Sequence, residues 1–170
     1  MIRALALALC SVLLVSGCSG EAGDDVADDR LPDITLAGFD GGEDVDLAEF
    51  SGPAVISVWA SWCGPCREEM PILEEFHAAY GVRVELLGID FQDLQTEKAR
   101  ALVERTGVTY RLVSDEGGEI SGKGAFPVLR GLPFIAFVDE EGTVTHVGAV
   151  VIDSTDQLVA LVEKHLGIRL

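Results

Sequence analysis

The chain is poor in positive charge and in histidine. Lysine and arginine together number 12 among 170 residues, against 29 aspartates and glutamates, and the formal net charge at pH 7 is −17. A surface of this sign repels nucleic acid and anionic lipid, so we expect no nucleic-acid partner. His77, His146 and His165 are scattered without ligand spacing, and we expect neither a metal nor another cofactor.

Cysteine is also scarce, and two of the four cysteines lie near the N-terminus. Residues 4–15 form an apolar stretch behind Arg3 that is too short to span a bilayer, which is typical of an export signal. The run Val15-Ser16-Gly17-Cys18 resembles the lipobox of bacterial lipoproteins, in which the cysteine receives diacylglycerol and becomes the new N-terminus. We therefore expect residues 1–17 to be a lipoprotein signal peptide and Cys18 to be lipidated. The alternative is an ordinary signal peptide with an incidental cysteine.

The segment that follows is acidic and lacks aromatic side chains. Residues 18–30 cannot bury enough apolar surface to fold, so we expect an acidic, flexible tether from Cys18. Residues 31–170 are long enough for one domain with a substantial core. The expected arrangement is extracytoplasmic, with one domain anchored by lipid to the outer face of the cell membrane.

Strand and helix patterns alternate along residues 31–170. Apolar residues recur at three-residue steps from Met70 through Leu73 and Phe76 to Ala79, which predicts a helix with one core-facing stripe. In the next helix the candidate core residues are Leu94, Ala101 and Leu102. The pattern predicts an N-terminal hairpin of 31–36 with 44–47, strands at 54–60, 82–91 and 110–113, a second hairpin of 134–138 with 143–150, and helices at 64–80, at 93–105 and after Ser154. This alternation predicts the α/β class.

The run Trp62-Cys63-Gly64-Pro65-Cys66 follows the buried strand pattern and opens the first helix. Two thiols at this spacing also suit half of a zinc site, but a strand that leads into a Cys-x-x-Cys helix indicates reversible disulfide chemistry. Unpaired N–H groups and aligned peptide dipoles at a helix N-terminus stabilise a thiolate. We therefore expect Cys63 to be the attacking sulfur and Cys66, one turn later, to be the resolving one.

The segment from Trp59 to Cys66 resembles the active site of the thioredoxin superfamily. Its continuation, Cys66-Arg67-Glu68-Glu69-Met70-Pro71, is similar to that of TlpA/ResA-like membrane-anchored thiol-disulfide oxidoreductases. The resemblance implies a thioredoxin-like fold, in which helices flank a central mixed β-sheet, with an N-terminal β-hairpin and an inserted helix. It covers residues 31–170.

The resemblance also implies which residues form the site. Pro133 matches the cis-proline that lies against the cysteine pair, and the expected substrate-binding residues are Trp62, Gly64, Pro65, Leu132 and Pro133. Glu69 matches a glutamate near the pair in ResA-like proteins and is a candidate for proton transfer, with a plain solvated carboxylate as the alternative. Two positions depart from relatives: Ser57 stands where thioredoxins have a buried aspartate, and Phe134 where many have threonine.

The implied function is reduction of protein disulfides outside the cytoplasm by a monomer. The oxidised pair then needs a transmembrane electron-donor thiol oxidoreductase, because that compartment is oxidising. Apocytochrome c is one substrate that the resemblance suggests. Two alternatives remain open: a copper(I)-binding delivery module, which lacks a nearby Met or His cluster, and a thiol peroxidase, whose motif has threonine where this chain has Ala60.

Overall fold

In the computed structural model, residues 29–170 are described, and the predicted signal peptide and most of the predicted tether lie outside them. The described residues form seven strands and three α-helices joined by turns and one 3-10 turn. The elements are β1 Thr35–Gly38, β2 Val45–Asp46, β3 Ala54–Trp59, α1 Gly64–Tyr80, β4 Glu85–Phe91, α2 Thr96–Thr106, β5 Arg111–Asp115, β6 Phe134–Val138, β7 Val144–Gly148 and α3 Thr155–Leu166. None of the helices described is long and apolar enough to cross a membrane.

The strands form one mixed sheet in the order β2-β1-β5-β4-β3-β6-β7. The central strands β3, β4 and β5 are parallel, while the other neighbours pair antiparallel. The sheet and its helices confirm the α/β, thioredoxin-like prediction. Strands β1 and β2 form the expected N-terminal hairpin, but β1 begins at Thr35, four residues after the predicted start at Leu31. Helix α2 is the inserted helix between β4 and β5.

Burial on both faces of β3 explains its continuous apolar sequence. All six of its residues are buried. Val55 packs with Leu73 and Phe76 of α1 and with α3, whereas Ile56 and Val58 pack beneath the N-terminal segment and the irregular chain around Ile120. The sheet therefore lies between two apolar layers. The end of β3 leads directly to the N-terminus of α1, at the carboxyl edge of the parallel strands.

The α1 bounds are those predicted, but parts of the core prediction are wrong. Ala79 is exposed, so the buried stripe of α1 ends at Phe76. Val82 is fully exposed in a turn, and β4 begins three residues later. Periodicity alone does not locate the turn before a strand, so the predicted start of β4 at residue 82 is three residues too early.

The start of α2 also differs from the prediction, because Asp93 holds a turn. Its carboxylate accepts hydrogen bonds from the N–H groups of Ser61 (2.5 Å) and Gln95 (2.9 Å). Leu94 consequently points outward and is 81% exposed, and Ala101 is exposed as well. The buried residues of α2 are Ala99 and Leu102. Of the three predicted core residues in this helix, only Leu102 is correct.

Backbone pairing reaches slightly into the segment assigned to the tether. Arg30 forms an isolated antiparallel bridge with Thr143, and its carbonyl accepts a hydrogen bond from the Ala125 N–H at 2.8 Å. The Asp29 carbonyl likewise accepts a hydrogen bond from the Val144 N–H at 2.6 Å, so the backbone pairing begins two residues before the predicted start at Leu31. The end of the predicted tether has few apolar side chains to bury. Its backbone is held by pairing with neighbouring parts of the fold.

Candidate active site

The two central cysteines lie at the N-terminus of α1 and form a disulfide. Cys63 is the N-cap residue, and its Sγ accepts a hydrogen bond from the Cys66 N–H at 3.2 Å. Cys63 is 4% exposed and Cys66 is 1% exposed, so Cys66 is the more deeply covered of the two. An N–H that already points at the Cys63 sulfur would stabilise its thiolate after reduction.

Two tryptophans flank the pair in different ways. Trp59 is buried beneath it, in one apolar cluster with both cysteines, Met70 and Leu102. Trp62 is 46% exposed, and its Nε1–H donates to the carbonyl of Gln92 at 3.4 Å. One aromatic ring therefore supports the disulfide from below, while the other forms part of the surface that a partner meets.

Gly64 and Pro65 are the first two residues of α1. Gly64 is half-buried and Pro65 is exposed. Proline fits here without loss of a helical hydrogen bond, because the first N–H groups of a helix have no partner within it. The dipeptide leaves the approach to Cys63 free of large side chains.

The Leu132–Pro133 peptide bond is cis, as the resemblance implies. Leu132 packs against the cluster that contains both cysteines. Leu132, Pro133 and Phe134 also line a largely apolar groove of about 390 Å³, together with Val150 and Val151. The structure therefore brings this loop and the cysteine pair together.

Glu69 is buried and not solvated, so the alternative of a plain surface carboxylate is wrong. It is 3% exposed on α1, and its Oε1 accepts a hydrogen bond from the Ile152 N–H at 2.6 Å. Burial raises the pKa of Glu69 to about 7, although the hydrogen bond from Ile152 opposes this rise. A carboxyl group with this pKa exchanges protons near neutral pH.

A second buried carboxyl group, Asp90, was not predicted. It is 5% exposed on β4, directly beside Trp59 in the strand register. Burial raises its pKa to about 8, and the negative charges of Asp93 and Glu116 add to the rise. Its Oδ1 and the Trp59 Nε1 have no hydrogen-bond partner among residues 29–170. An acidic residue within the apolar run 85–91 is the sequence signal that would have pointed to it.

Ser57 occupies the position of the thioredoxin aspartate and is buried on β3. The buried carboxyl groups near the pair whose pKa values are raised are Glu69 on α1 and Asp90 on β4. His146 and His165, which are distant in sequence, stack with ring centroids 4.1 Å apart. Within the described part of the chain, no group of three Cys, His, Asp or Glu side chains is arranged to hold a metal ion.

The sequence model of the Redoxin family matches residues 26–162, which is most of the chain. The chain belongs to the redoxin family. Among curated relatives, this redoxin is 27% identical to the thioredoxin-like protein YneN of Bacillus subtilis over 137 residues, covering 78% of each chain.

A second relative is the thiol-disulfide oxidoreductase ResA of Bacillus thuringiensis subsp. konkukian. The two are 31% identical over 108 residues, and the match spans 61% of this redoxin and 58% of ResA. This redoxin therefore spans less than two thirds of that relative.

Solved structures give the same family placement. DsbF of Mycobacterium tuberculosis superposes with a TM-score of 0.68 at 27% identity, covering 79% of this redoxin and 96% of DsbF. A second structure is that of a secreted M. tuberculosis disulfide oxidoreductase, described as homologous to E. coli DsbE. It superposes with a TM-score of 0.66 at 25% identity, covering 81% of this redoxin and 99% of that chain. This redoxin is a TlpA/ResA-like thiol-disulfide oxidoreductase of the thioredoxin superfamily, as the sequence motif predicted.

Proposed function

We propose that this redoxin reduces disulfides of proteins outside the cytoplasm through the Cys63/Cys66 dithiol. The observation that carries the proposal is the placement of the Cys63 sulfur at the cap of α1, where the Cys66 N–H donates to it. This geometry favours the thiolate, which is the nucleophile in disulfide exchange.

The reaction proceeds in two exchanges. The Cys63 thiolate attacks one sulfur of the substrate disulfide, a mixed disulfide forms, and the other substrate sulfur leaves as a thiolate that takes up a proton. Cys66 then loses its proton and attacks the Cys63 sulfur, which releases the second substrate thiol. Two electrons pass to the substrate, and the Cys63–Cys66 disulfide is the product.

Glu69 is the proposed proton acceptor for Cys66. It follows Cys66 by three residues on α1, so the two side chains lie on the same helix face. Its raised pKa of about 7 allows it to take a proton at neutral pH and return it in the reverse reaction. The N–H of Ile152 fixes the orientation of the carboxyl group while this happens.

The proposed substrate surface consists of Trp62, Gly64, Pro65, Leu132 and Pro133. Exposed Trp62 and Pro65 stand next to Cys63, and the apolar groove at Pro133 offers room for side chains of an extended substrate segment. Protein disulfides are therefore better suited to this site than small inorganic oxidants.

The proposed location follows from the N-terminal sequence. A signal peptide over residues 1–17, lipidation at Cys18 and an acidic tether to about residue 30 would hold the domain at the outer face of the cell membrane. A solved relative is itself described as secreted. Sustained reduction there requires a transmembrane thiol oxidoreductase as electron donor, and reduction of apocytochrome c before haem attachment is one role that fits.

A Cys66→Ser variant tests the proposed function, because the mixed disulfide at Cys63 then cannot be resolved. We expect substrate proteins to accumulate on Cys63 of this variant and to be released by dithiothreitol. A Cys63→Ser variant is the matched control and should capture none. Absence of mixed disulfides on Cys66→Ser in the native compartment would contradict the proposal.

The direction of electron transfer is tested by equilibration with glutathione. The Gly-Pro dipeptide between the cysteines is that of thioredoxin, so we expect a potential near the reducing end of the superfamily, at roughly −270 mV. A potential near roughly −120 mV would assign the opposite, oxidising role.

A further inference from the structure

A second cavity, of about 340 Å³, opens beside the cysteine pair and shares no lining residue with the apolar groove. One wall is formed by Ser61, Trp62 and Arg67, which flank the two cysteines in sequence. The other wall is formed by α2 and the residue before it, through Gln95, Lys98, Ala101, Leu102 and Arg105. We call this cavity the basic pocket.

The basic pocket concentrates positive charge in an acidic protein. Arg67, Lys98 and Arg105 are three of only 12 lysines and arginines in the chain, and they share one cavity. No aspartate or glutamate of residues 29–170 lines it. The nearby Asp93 is buried, and both its oxygens accept backbone N–H groups.

These three cations are not neutralised by carboxylates in the described structure. Arg100, on the same helix, is instead engaged by Asp40 at 2.6 Å and Glu97 at 2.7 Å. The pocket cations donate to uncharged acceptors: Arg67 to the Ser61 carbonyl at 3.0 Å, Lys98 to Gln95 Oε1 at 2.6 Å and Arg105 to the Ala101 carbonyl at 3.4 Å. With 29 acidic residues in the chain, this leaves an unusual local excess of positive charge.

We propose that the basic pocket binds a carboxylate of the disulfide substrate, carried close to the sulfur that Cys63 attacks. The inference rests on the proposed function, since it assigns a substrate class to the same site. Trp62 precedes Cys63 and Arg67 follows Cys66 in sequence. Leu102, which also lines the pocket, packs in the same cluster as both cysteines, so the pocket adjoins the cysteine pair. The guanidinium groups of Arg67 and Arg105 can pair with a carboxylate through two parallel hydrogen bonds.

The basic pocket also counteracts the repulsion between this acidic protein and an acidic substrate. A net charge of −17 repels an acidic substrate at long range, but salt screens that repulsion beyond roughly 8 Å at physiological ionic strength. At contact distance, a carboxylate in the pocket meets three cations and no aspartate or glutamate of residues 29–170 among the lining residues. The carboxylate belongs either to an Asp or Glu side chain beside a protein disulfide or to a small free disulfide such as oxidised glutathione.

Two matched substrate pairs test the proposal on the full domain. The first is a peptide disulfide with Glu beside the half-cystine, compared with the same peptide carrying Gln. The second is oxidised glutathione compared with uncharged hydroxyethyl disulfide. For the reduced protein, we expect the rate constant to be about three- to tenfold higher for the acidic peptide than for its neutral partner, and this ratio to fall as salt is raised.

The double variant Lys98→Gln/Arg105→Gln should bring this acidic-to-neutral ratio close to one. Lys123→Gln/Lys164→Gln is the control, because it removes the same charge from exposed positions outside the pocket, and it should keep the wild-type ratio. Selectivity in the peptide pair alone assigns the carboxylate to a protein side chain. Selectivity in the small pair alone assigns it to a small free disulfide.

Equal wild-type rates for acidic and neutral members of both pairs would overturn the proposal. An unchanged ratio in Lys98→Gln/Arg105→Gln would overturn it as well. Neither outcome affects the proposed function, which fails separately if the wild-type protein does not reduce even the neutral disulfides.

Discussion

Glu69 on α1 accepts a hydrogen bond from the backbone N–H of Ile152, which lies 83 residues further along the chain and just before α3. The contact holds a buried carboxyl group in a fixed orientation one turn beyond Cys66. It also joins the helix that carries the cysteines to the segment that borders the apolar groove, where Val150 and Val151 are lining residues.

Replacing Glu69 by glutamine should slow the resolution of the mixed disulfide by Cys66. Glutamine keeps an oxygen that accepts the Ile152 N–H but cannot take a proton. We expect the rate of resolution to fall by about ten- to a hundredfold above neutral pH, and its inflection near pH 7 to disappear. Release of thionitrobenzoate from a preformed mixed disulfide at Cys63, followed from pH 5 to 9, measures this step.

Glu68→Gln is the matched control for this experiment, since Glu68 is the adjacent, exposed carboxylate on the same helix. It should retain the wild-type rate and inflection. An unchanged pH profile in Glu69→Gln would remove Glu69 from the proposed proton transfer.

Replacing Asp90 by asparagine should change how stability depends on pH. The folded-state pKa of Asp90, about 8, lies above its ordinary value of 3.8, so between these pH values the folded protein binds more protons than the unfolded chain. The contribution of this group to stability is therefore present at low pH and is lost as pH rises toward 8. We therefore expect the change in the free energy of unfolding caused by Asp90→Asn to be more stabilising at pH 8 than at pH 5, by at least about 1 kcal/mol.

Urea unfolding of the oxidised protein at the two pH values measures this difference. Asp33→Asn is the control, because it makes the same chemical change at an exposed position. Equal pH-dependent effects from both variants would contradict the explanation by burial.

Replacing Gly88 by alanine should disturb the support beneath the disulfide. A Cβ at this position would lie 2.5 Å from Leu112 Cδ2 and 3.1 Å from Trp59 Nε1. We expect a loss of about 1–3 kcal/mol in the free energy of unfolding, as is typical of overpacked cores. Gly117→Ala is the control, since its nearest neighbour would be Glu119 Cγ at 3.4 Å. Urea unfolding of the two variants measures this loss. An equal decrease in the free energy of unfolding for both would argue against close packing at Gly88.

Replacing Cys18 by serine should release the protein from the membrane. The hydroxyl group cannot form the thioether that lipidation requires, so we expect no acyl mass on the N-terminal peptide and a protein in the soluble fraction. Cys10→Ser is the matched control, because Cys10 lies within the predicted signal peptide, and it should leave both readouts unchanged. Fractionation and mass spectrometry measure them. A Cys18→Ser protein that still carries lipid would refute the predicted anchor.

Local patterns predicted the fold well where one segment decides its own structure. The bounds of α1 and the burial of β3 followed from periodicity and from an uninterrupted apolar run. Leu94 was misplaced because the Asp93 turn depends on Ser61, which is distant in sequence. Periodicity contains no information about such a contact.

Only part of the site could be predicted, again because local patterns do not show which distant residues meet. The cysteine pair and Pro133 are marked by short motifs, whereas the second cis bond, Gly52–Pro53, has no motif that distinguishes it. Asp90 breaks an apolar run, but its pKa is raised by burial in the folded sheet and by the charges of Asp93 and Glu116, which periodicity does not show. The basic pocket joins Arg67 to Arg105, and their proximity depends on how α2 packs against α1.

The sheet order places the two candidate binding surfaces on separate stretches of chain. The apolar groove is built from the residues around β6 and the end of β7, on one side of β3, whereas α2 of the basic pocket enters from the β4 side. The helix inserted between β4 and β5 therefore forms a wall of the basic pocket and contributes no lining residue to the apolar groove. Exposed residues of this helix can be substituted to alter the basic pocket while the lining of the apolar groove stays the same.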